Sequence, residues 1–247
     1  MKSKFVKRLW AKNIVRVALI IILVSIFAFT ITSCKGWVRG SGNVISEDRD
    51  VSGFSKVSIS GIGNLFIEQG DEESLTIEAE DNILPLITAK VSGNTLTIKI
   101  NRGLPTKDLN YYLKVKDLTS LSTSGSVHAS CPSLNTDNLV FNTSGSSNIN
   151  IDSLTAESVK IDSSGSGNIT LVGTVESQEI KSGGSFKYFA EDLKSKSCVI
   201  DASGSGDLTV NVSDDLNVTV SGSVKVTYIG SPSVTEKTSG SASITSK

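Results

Sequence analysis

The chain has one histidine, His128, and three cysteines among 247 residues, which narrows the chemistry open to it. His128-Ala129-Ser130-Cys131 places an imidazole, a hydroxyl and a thiol close together. A zinc site, however, needs three or four converging ligands. A Ser-His-Asp triad has only His128 for its base, and the serines recur with a period that a single nucleophile does not require. Asp162 and Asp201 each stand three places before a recurring glycine, with Asn142 at the same place in another unit. One acid and one base of this kind can cleave a glycosidic bond by inversion at about 6.5–9.5 Å separation. A further group, Asn64, Asn148, Asn168 and Asp207, lies three places after a glycine. Such a column could hold a glycan or calcium, but short polar side chains at turns more simply bond neighbouring backbone amides. For stacking on a sugar ring the candidates are Tyr111, Tyr112, Phe186, Tyr188 and Phe189.

The third cysteine stands apart. Residues 1–33 carry six basic side chains and no acidic one, and Val17–Ile31 is apolar apart from Ser25 and Thr30. That is a charged region followed by an apolar one, the pattern of a secretory signal. As a helix the run covers only about 22 Å, short of the ~30 Å hydrocarbon core. It ends in Ile31-Thr32-Ser33-Cys34, which resembles the lipobox of bacterial lipoproteins. The resemblance implies cleavage before Cys34 and transfer of diacylglycerol, with palmitate-type chains, to its thiol. Cys34 is therefore the expected lipidation site, and a membrane held through it the first expected partner. Two or more acyl chains make such an anchor stable.

Without residues 1–33, 18 basic side chains face 25 acidic ones, a net charge of −7. An acidic body is poorly suited to a phosphate backbone, so nucleic acid is not an expected partner. No catalytic residue, cofactor site or metal site is expected.

The elements that must position these residues follow from a repeat. Gly125, Gly145, Gly165, Gly184, Gly204, Gly222 and Gly240 recur every 18 to 20 residues, most within a Ser-Gly pair. Four places before them stand Leu121, Phe141, Ile161, Ile180, Ile200 and Val218, with Glu236 in the last unit. Four places after them stand Ala129, Ile149, Ile169, Tyr188, Leu208, Val226 and Ile244. Further apolar residues lie six places away on each side, and offsets differing by two share one side of a strand. Each unit thus reads as two strands bent apart at a glycine, and a run of such units as a β-solenoid. The fold class expected is all-β, a parallel β-helix with coils of 18–20 residues and no helix after Cys34. Ser126, Ser146 and Ser166, with their counterparts, should form an outer stack. Cys131 and Cys198 fall in inward columns four coils apart, roughly 19 Å at ~4.8 Å per coil, too far for a disulfide.

The expected organisation is a signal peptide over 1–33, a membrane-proximal tether over 34–50 and a solenoid over 51–247. Within the solenoid, 51–116 should form irregular coils and 117–247 regular ones. Val57, Leu65 and Ile67 keep the repeat's offsets around Gly61, whereas residues 87–100 admit either a hairpin or a wider coil.

Gly40-Ser41-Gly42-Asn43, Gly53-Phe54-Ser55-Lys56-Val57, Ser60-Gly61-Ile62-Gly63-Asn64 and Glu78-Ala79-Glu80-Asp81-Asn82-Ile83-Leu84 together resemble the auto-transporter adhesin head GIN domain family. The resemblance spans about 40–247. It implies a right-handed parallel β-helix on a lipoprotein anchor in the outer membrane and supplies no catalytic residues. Many lipoproteins of such bacteria reach the cell surface with an acidic run after the lipidated cysteine. The basic Lys35-Gly36-Trp37-Val38-Arg39 stretch instead favours a periplasm-facing position. The function expected is a non-catalytic envelope lipoprotein whose solenoid binds a glycan or an envelope or host protein. The alternative is a carbohydrate-active β-helix enzyme of the polysaccharide lyase or glycosidase type. A lyase also needs a basic side chain opposite its acids, and none is evident beside Asp162 and Asp201, whose two-coil separation is about 10 Å.

Overall fold

The computed structural model describes residues 36–247. The signal segment and Cys34 lie outside them. Val38–Lys247 form one compact unit, and no helix among the described residues is long and apolar enough to cross a membrane.

The chain enters through two short strands, β1 (Val38–Arg39) and β2 (Val44–Arg49). The first rung of the solenoid is β3 (Lys56–Gln69). Residues 70–119 then leave the coil path to make β4 (Ser74–Glu80), a 3-10 turn (Leu84–Leu86), β5 (Ile87–Ser92), β6 (Thr95–Ile100), β7 (Gly103–Leu104) and β8 (Asn110–Val115). The path resumes at β9 (Ser120–Cys131) and β10 (Leu134–Asn135). It then winds through β11 (Asn138–Ser163), β12 (Ser166–Ser182), β13 (Ser185–Ile229), β14 (Ser233–Gly240) and β15 (Ser243–Ser246).

The pairing of successive rungs is parallel throughout and follows the glycine repeat. Gly61 pairs with Gly125 and Gly125 with Gly145; Ser146 pairs with Ser166 and Ser166 with Ser185. The seven glycines from Gly125 to Gly240 delimit six turns of a parallel β-helix. The columns expected to point inward do so: Leu121, Phe141, Ile161, Ile180, Ile200 and Val218 are all buried, as are Ile149, Ile169, Tyr188, Leu208 and Val226. Burying each such side chain contributes about 1.5–3 kcal/mol. Glu236 faces Val218 on the last described rung, where it is exposed; a charge in the inward column of an edge strand discourages pairing with another chain.

Two features of the coil depart from the periodic reading. The positions two places from the corner glycine point inward although they are often polar, so Thr123, Thr143, Ser147 and Ser163 are buried. Their hydroxyls satisfy one another between coils: Thr123 Oγ1 lies 2.8 Å from Ser147 Oγ, and Thr143 donates to Ser163 over 2.9 Å. The corner amides donate to carbonyls of the preceding coil, as in Ser185 N to Gly165 O (3.1 Å) and Ser205 N to Gly184 O (3.1 Å). The outward serines, Ser126, Ser146 and Ser166 among them, are exposed.

The irregular unit carries one buried polar network. Gln178 stands in an apolar column, accepts from Tyr188 Oη (2.7 Å) and donates to Ser195 Oγ (2.8 Å). With a partner on each of its two polar atoms, it avoids most of the penalty of a buried amide. Cys131 and Cys198 are buried and unpaired.

At the N-terminal end the expected irregular coils are in large part antiparallel. Only β3 is a rung. Against it lie β6 on one half and β8 on the other, both parallel to β3, and antiparallel strands continue the sheet beyond: β5 pairs with β6, β4 with β8 and β2 with β4. Residues 87–100 therefore form a hairpin, with Gly93 at φ 57° in its two-residue turn. Residues 44–49, expected within a tether, are a strand of this cap because Val44–Arg49 pair in register with Leu75–Glu80.

Candidate functional site

The strand that follows each corner glycine shows the same outer face coil after coil. Its fifth position runs Tyr112, Phe66, Ser130, Asn150, Thr170, Phe189 in unbroken register. Phe66, Tyr112 and Phe189 are each 42% exposed. Phe66 and Tyr112 stack with centroids 5.2 Å apart and planes 15° from parallel, an arrangement that fixes both rings. Between Phe66 and Phe189 lies an open trough of about 410 Å³. The two rings are four rungs apart, roughly 19 Å. Smaller depressions continue past each end, toward Glu68 and Lys114 on one side and Glu191 and Asp192 on the other.

The third position forms the trough's other wall. Asn64, His128, Asn148 and Asn168 stand in register, followed by Lys187. Asn168 Nδ2 donates to Asn148 Oδ1 (2.9 Å), and Asn148 Nδ2 donates to His128 Nδ1 (3.2 Å). Asn64 donates to Asn110 (2.9 Å), which donates to Glu78 (2.8 Å). The asparagines are thus not engaged in turn chemistry; they bond side chain to side chain between coils. Asp207 lies beyond Lys187 and outside this run of amides.

Of the aromatic residues picked from the sequence, Tyr111, Phe186 and Tyr188 are core and only Tyr112 and Phe189 face outward. Phe66 was missed. Its rung neighbour Ser130 is 64 residues away, beyond the inserted cap, so local spacing gave no sign that it completes the column.

The trough has no carboxylate among its lining residues, so His128 and Ser130 lack the third member of a triad there. Burial pushes the Cys131 thiol up to about 11 and that of Cys198 up to about 12, which leaves both protonated and unreactive at neutral pH. The carboxylates of the other face also stand differently from expectation. Asp162 and Asp201 flank Lys181, which pairs in register with both, so a basic neighbour exists. Lys181 is committed to Glu179 (2.9 Å), which also holds Lys160 (3.0 Å). The hydrogen bond and charge of Glu179 hold Lys181 above the usual lysine range. The shallow depression at Asp162 has hydroxyls, Asn142 and one carboxylate in its lining, where acid–base cleavage needs two. Among the described residues no cluster of three or more His, Cys, Asp or Glu side chains could hold a metal ion.

The Gly-Ser-Gly-Asn and Glu80-Asp81-Asn82 segments meet each other. Glu80 is 1% exposed and accepts from Gly42 N (2.7 Å), Thr106 N (2.8 Å) and Thr106 Oγ1 (2.5 Å). Asp81 accepts from Ser41 Oγ (2.5 Å) and Asn43 Nδ2 (3.0 Å), and Asn82 Oδ1 from Ser41 N (2.9 Å). A Cβ on Gly40 would overlap the Glu80 carboxylate. This clasp fastens the entering chain to the cap and is structural.

Burial alone would raise the Glu80 pKa, but the Thr106 and backbone donors outweigh it and hold the carboxyl below its usual range. A lowered folded-state value adds stability at neutral pH that is lost as pH falls through that value. Glu80→Gln should therefore lower Tm at pH 7, and its deficit should shrink as the pH falls and the parent's Glu80 protonates. Thermal melts from neutral pH downward check this; a deficit that does not change with pH removes the role given to the charge.

A family model described as "Putative auto-transporter adhesin, head GIN domain" matches residues 53–232. The chain belongs to this family. Its solenoid is shared with solved structures. A crystal structure of a "putative adhesin" from Bacteroides fragilis matches with TM-score 0.77 at 27% identity, covering 85% of this chain and 99% of that one. A "putative lipid binding protein" from Parabacteroides distasonis gives 0.71 at 21% identity, with the same coverage of 85% and 99%. A "putative adhesin" from the same organism gives 0.68 at 22%, again over 85% and 99%. No curated protein matches the chain. Within the matched head GIN domain, residues 78–84 belong to the cap, to which 40–43 are clasped, and the trough lies on the coils beyond it.

Proposed function

We propose that this head GIN domain protein is a non-catalytic, lipid-anchored binding protein of the bacterial outer membrane that engages an extended glycan or protein along one side of its solenoid. The observation that carries the reading is the trough: exposed aromatic rings at both ends of a wall of asparagines and one histidine bonded side chain to side chain. Family membership and neighbours described as adhesins support an adhesin-like role in the cell envelope. Support for a non-catalytic role comes from the single carboxylate at Asp162's depression and from Lys181, which is already held by Glu179. Cys34 is the proposed anchor and the periplasm the proposed side, on the lipobox and the basic residues after it.

Labelled palmitate should enter the wild-type protein and not Cys34→Ser; equal labelling of both would refute anchoring at this residue. Protease added to intact cells should leave the domain whole until the outer membrane is opened, whereas cleavage of intact cells' protein would place it at the surface. Incubation with envelope polysaccharides should leave their chain length unchanged, and shortening that disappears in Asp162→Asn would establish the enzymatic alternative.

A further inference from the structure

We propose that the trough is a binding site for a neutral, extended polysaccharide, with one sugar ring on Phe66 and another on Phe189. This rests on the trough being the binding face, and it names the class of ligand.

The exposed rings are the first reason. Phe66, Tyr112 and Phe189 stand in one column, and Trp37 is the one other exposed Phe, Tyr or Trp among the described residues. An exposed ring forgoes the gain of burial that its neighbours in the core receive, and the other members of the column are Ser, Asn and Thr. A flat apolar ring within a polar surface fits the C–H face of a pyranose, whose hydroxyls then meet the surrounding polar groups. Tyr112 stacks behind Phe66 and keeps it in place.

The wall is the second reason. Each amide in the Asn168–Asn148–His128 chain spends one N–H on its neighbour, and an amide carries two. The remaining donors, together with the hydroxyls of Ser130 and Thr170, face the trough with a periodicity of one coil. The rungs repeat every ~4.8 Å, close to the advance of one unit in an extended β-linked glycan, so one unit of such a chain falls near each rung. Roughly four units join the two rings.

Charge is the third. No Asp, Glu, Lys or Arg lines the trough between Phe66 and Phe189. Between the rings an anionic polymer finds no cation; Lys187, on Phe189's own rung, is the nearest, and past it stand Asp192 and Glu191, the latter paired with Lys247. The strands of this face are already paired on both sides in the ladder, so an added polypeptide strand finds no edge.

The test uses the mature chain with cello-oligosaccharides, chito-oligosaccharides, xylan and mannan as neutral probes, heparin as the anionic one, and fibronectin and collagen as proteins. Binding of at least one neutral glycan is expected, weakened about tenfold or more by Phe66→Ala and by Phe189→Ala. Asp201→Asn, on the other outer face, should change nothing, and salt should matter little. Unchanged melting temperatures will show that the aromatic variants fold. Salt-sensitive binding of heparin alone overturns the inference. Binding of fibronectin or collagen alone, lost in Phe189→Ala, overturns the glycan and leaves the trough as the binding face. Binding of none of these probes overturns both.

Discussion

Ile169→Asp should prevent the solenoid from forming, with a loss of about 4–5 kcal/mol or more, a large part of the stability of an ordinary domain. Ile169 is 1% exposed in the middle of the helix, between Ile149 and Tyr188 on adjacent rungs. A carboxylate there has neither solvent nor a cation and must protonate or expel its neighbours. Ser166, three residues earlier on the same strand, belongs to the exposed stack at the corner. Ser166→Ala should stay within about 0.5 kcal/mol of the parent. Denaturant melts of the two variants side by side are sufficient, and the reverse ranking would mean that the inside and outside of the coil are exchanged.

A comparable effect is expected from one methyl group. Gly145 has φ 86°, and a Cβ placed on it would overlap the carbonyl oxygen of Gly125 and come within 2.7 Å of Gly125 N in the coil beneath. The left-handed conformation costs a side-chain-bearing residue roughly 1–2 kcal/mol, and the backbone overlap forces two coils apart in addition. Gly145→Ala should thus lose about 3 kcal/mol or more. Gly70 provides the control, with nothing within 4 Å of an added Cβ. If Gly145→Ala were as mild as Gly70→Ala under the same melt, close stacking of corner glycines would not be what limits the sequence there.

These two substitutions mark what could be read from the residues themselves. The apolar columns around the glycines state the inside of each strand directly, because a period of two has one structural meaning once a turn is fixed. Thr123 and Ser147 gave no such sign: as hydroxyl residues they read as surface, and only the neighbouring coil, about 20 residues away, supplies the partner that lets them be buried. Lys181 holds the place of Asp162 and Asp201 in the unit disturbed by Gly183-Gly184, and its relation to both appears once the coils are stacked.

The N-terminal end was least legible for a related reason. Its strands pair antiparallel across long insertions, so Val44–Arg49 show no repeat of their own and take their structure from Ser74–Glu80. The same insertion hid Phe66, without which Phe189 is one exposed ring and not the far end of a trough. The motif segments at 40–43 and 78–84 were visible as a family signature, but their purpose is seen only in the hydrogen bonds they make to one another.

Contact of a partner with the trough can be seen by hydroxyl-radical footprinting, since the side chains concerned are reactive and exposed. The protein would be oxidised alone and with isolated envelope material, and modification read at single residues. The prediction is that oxidation of Phe66, Tyr112, His128 and Phe189 falls together on binding, while Val199 on the opposite outer face is unchanged. Bound protein with these four residues as reactive as before, and with protection around Val199 and Asp201 instead, would contradict the account.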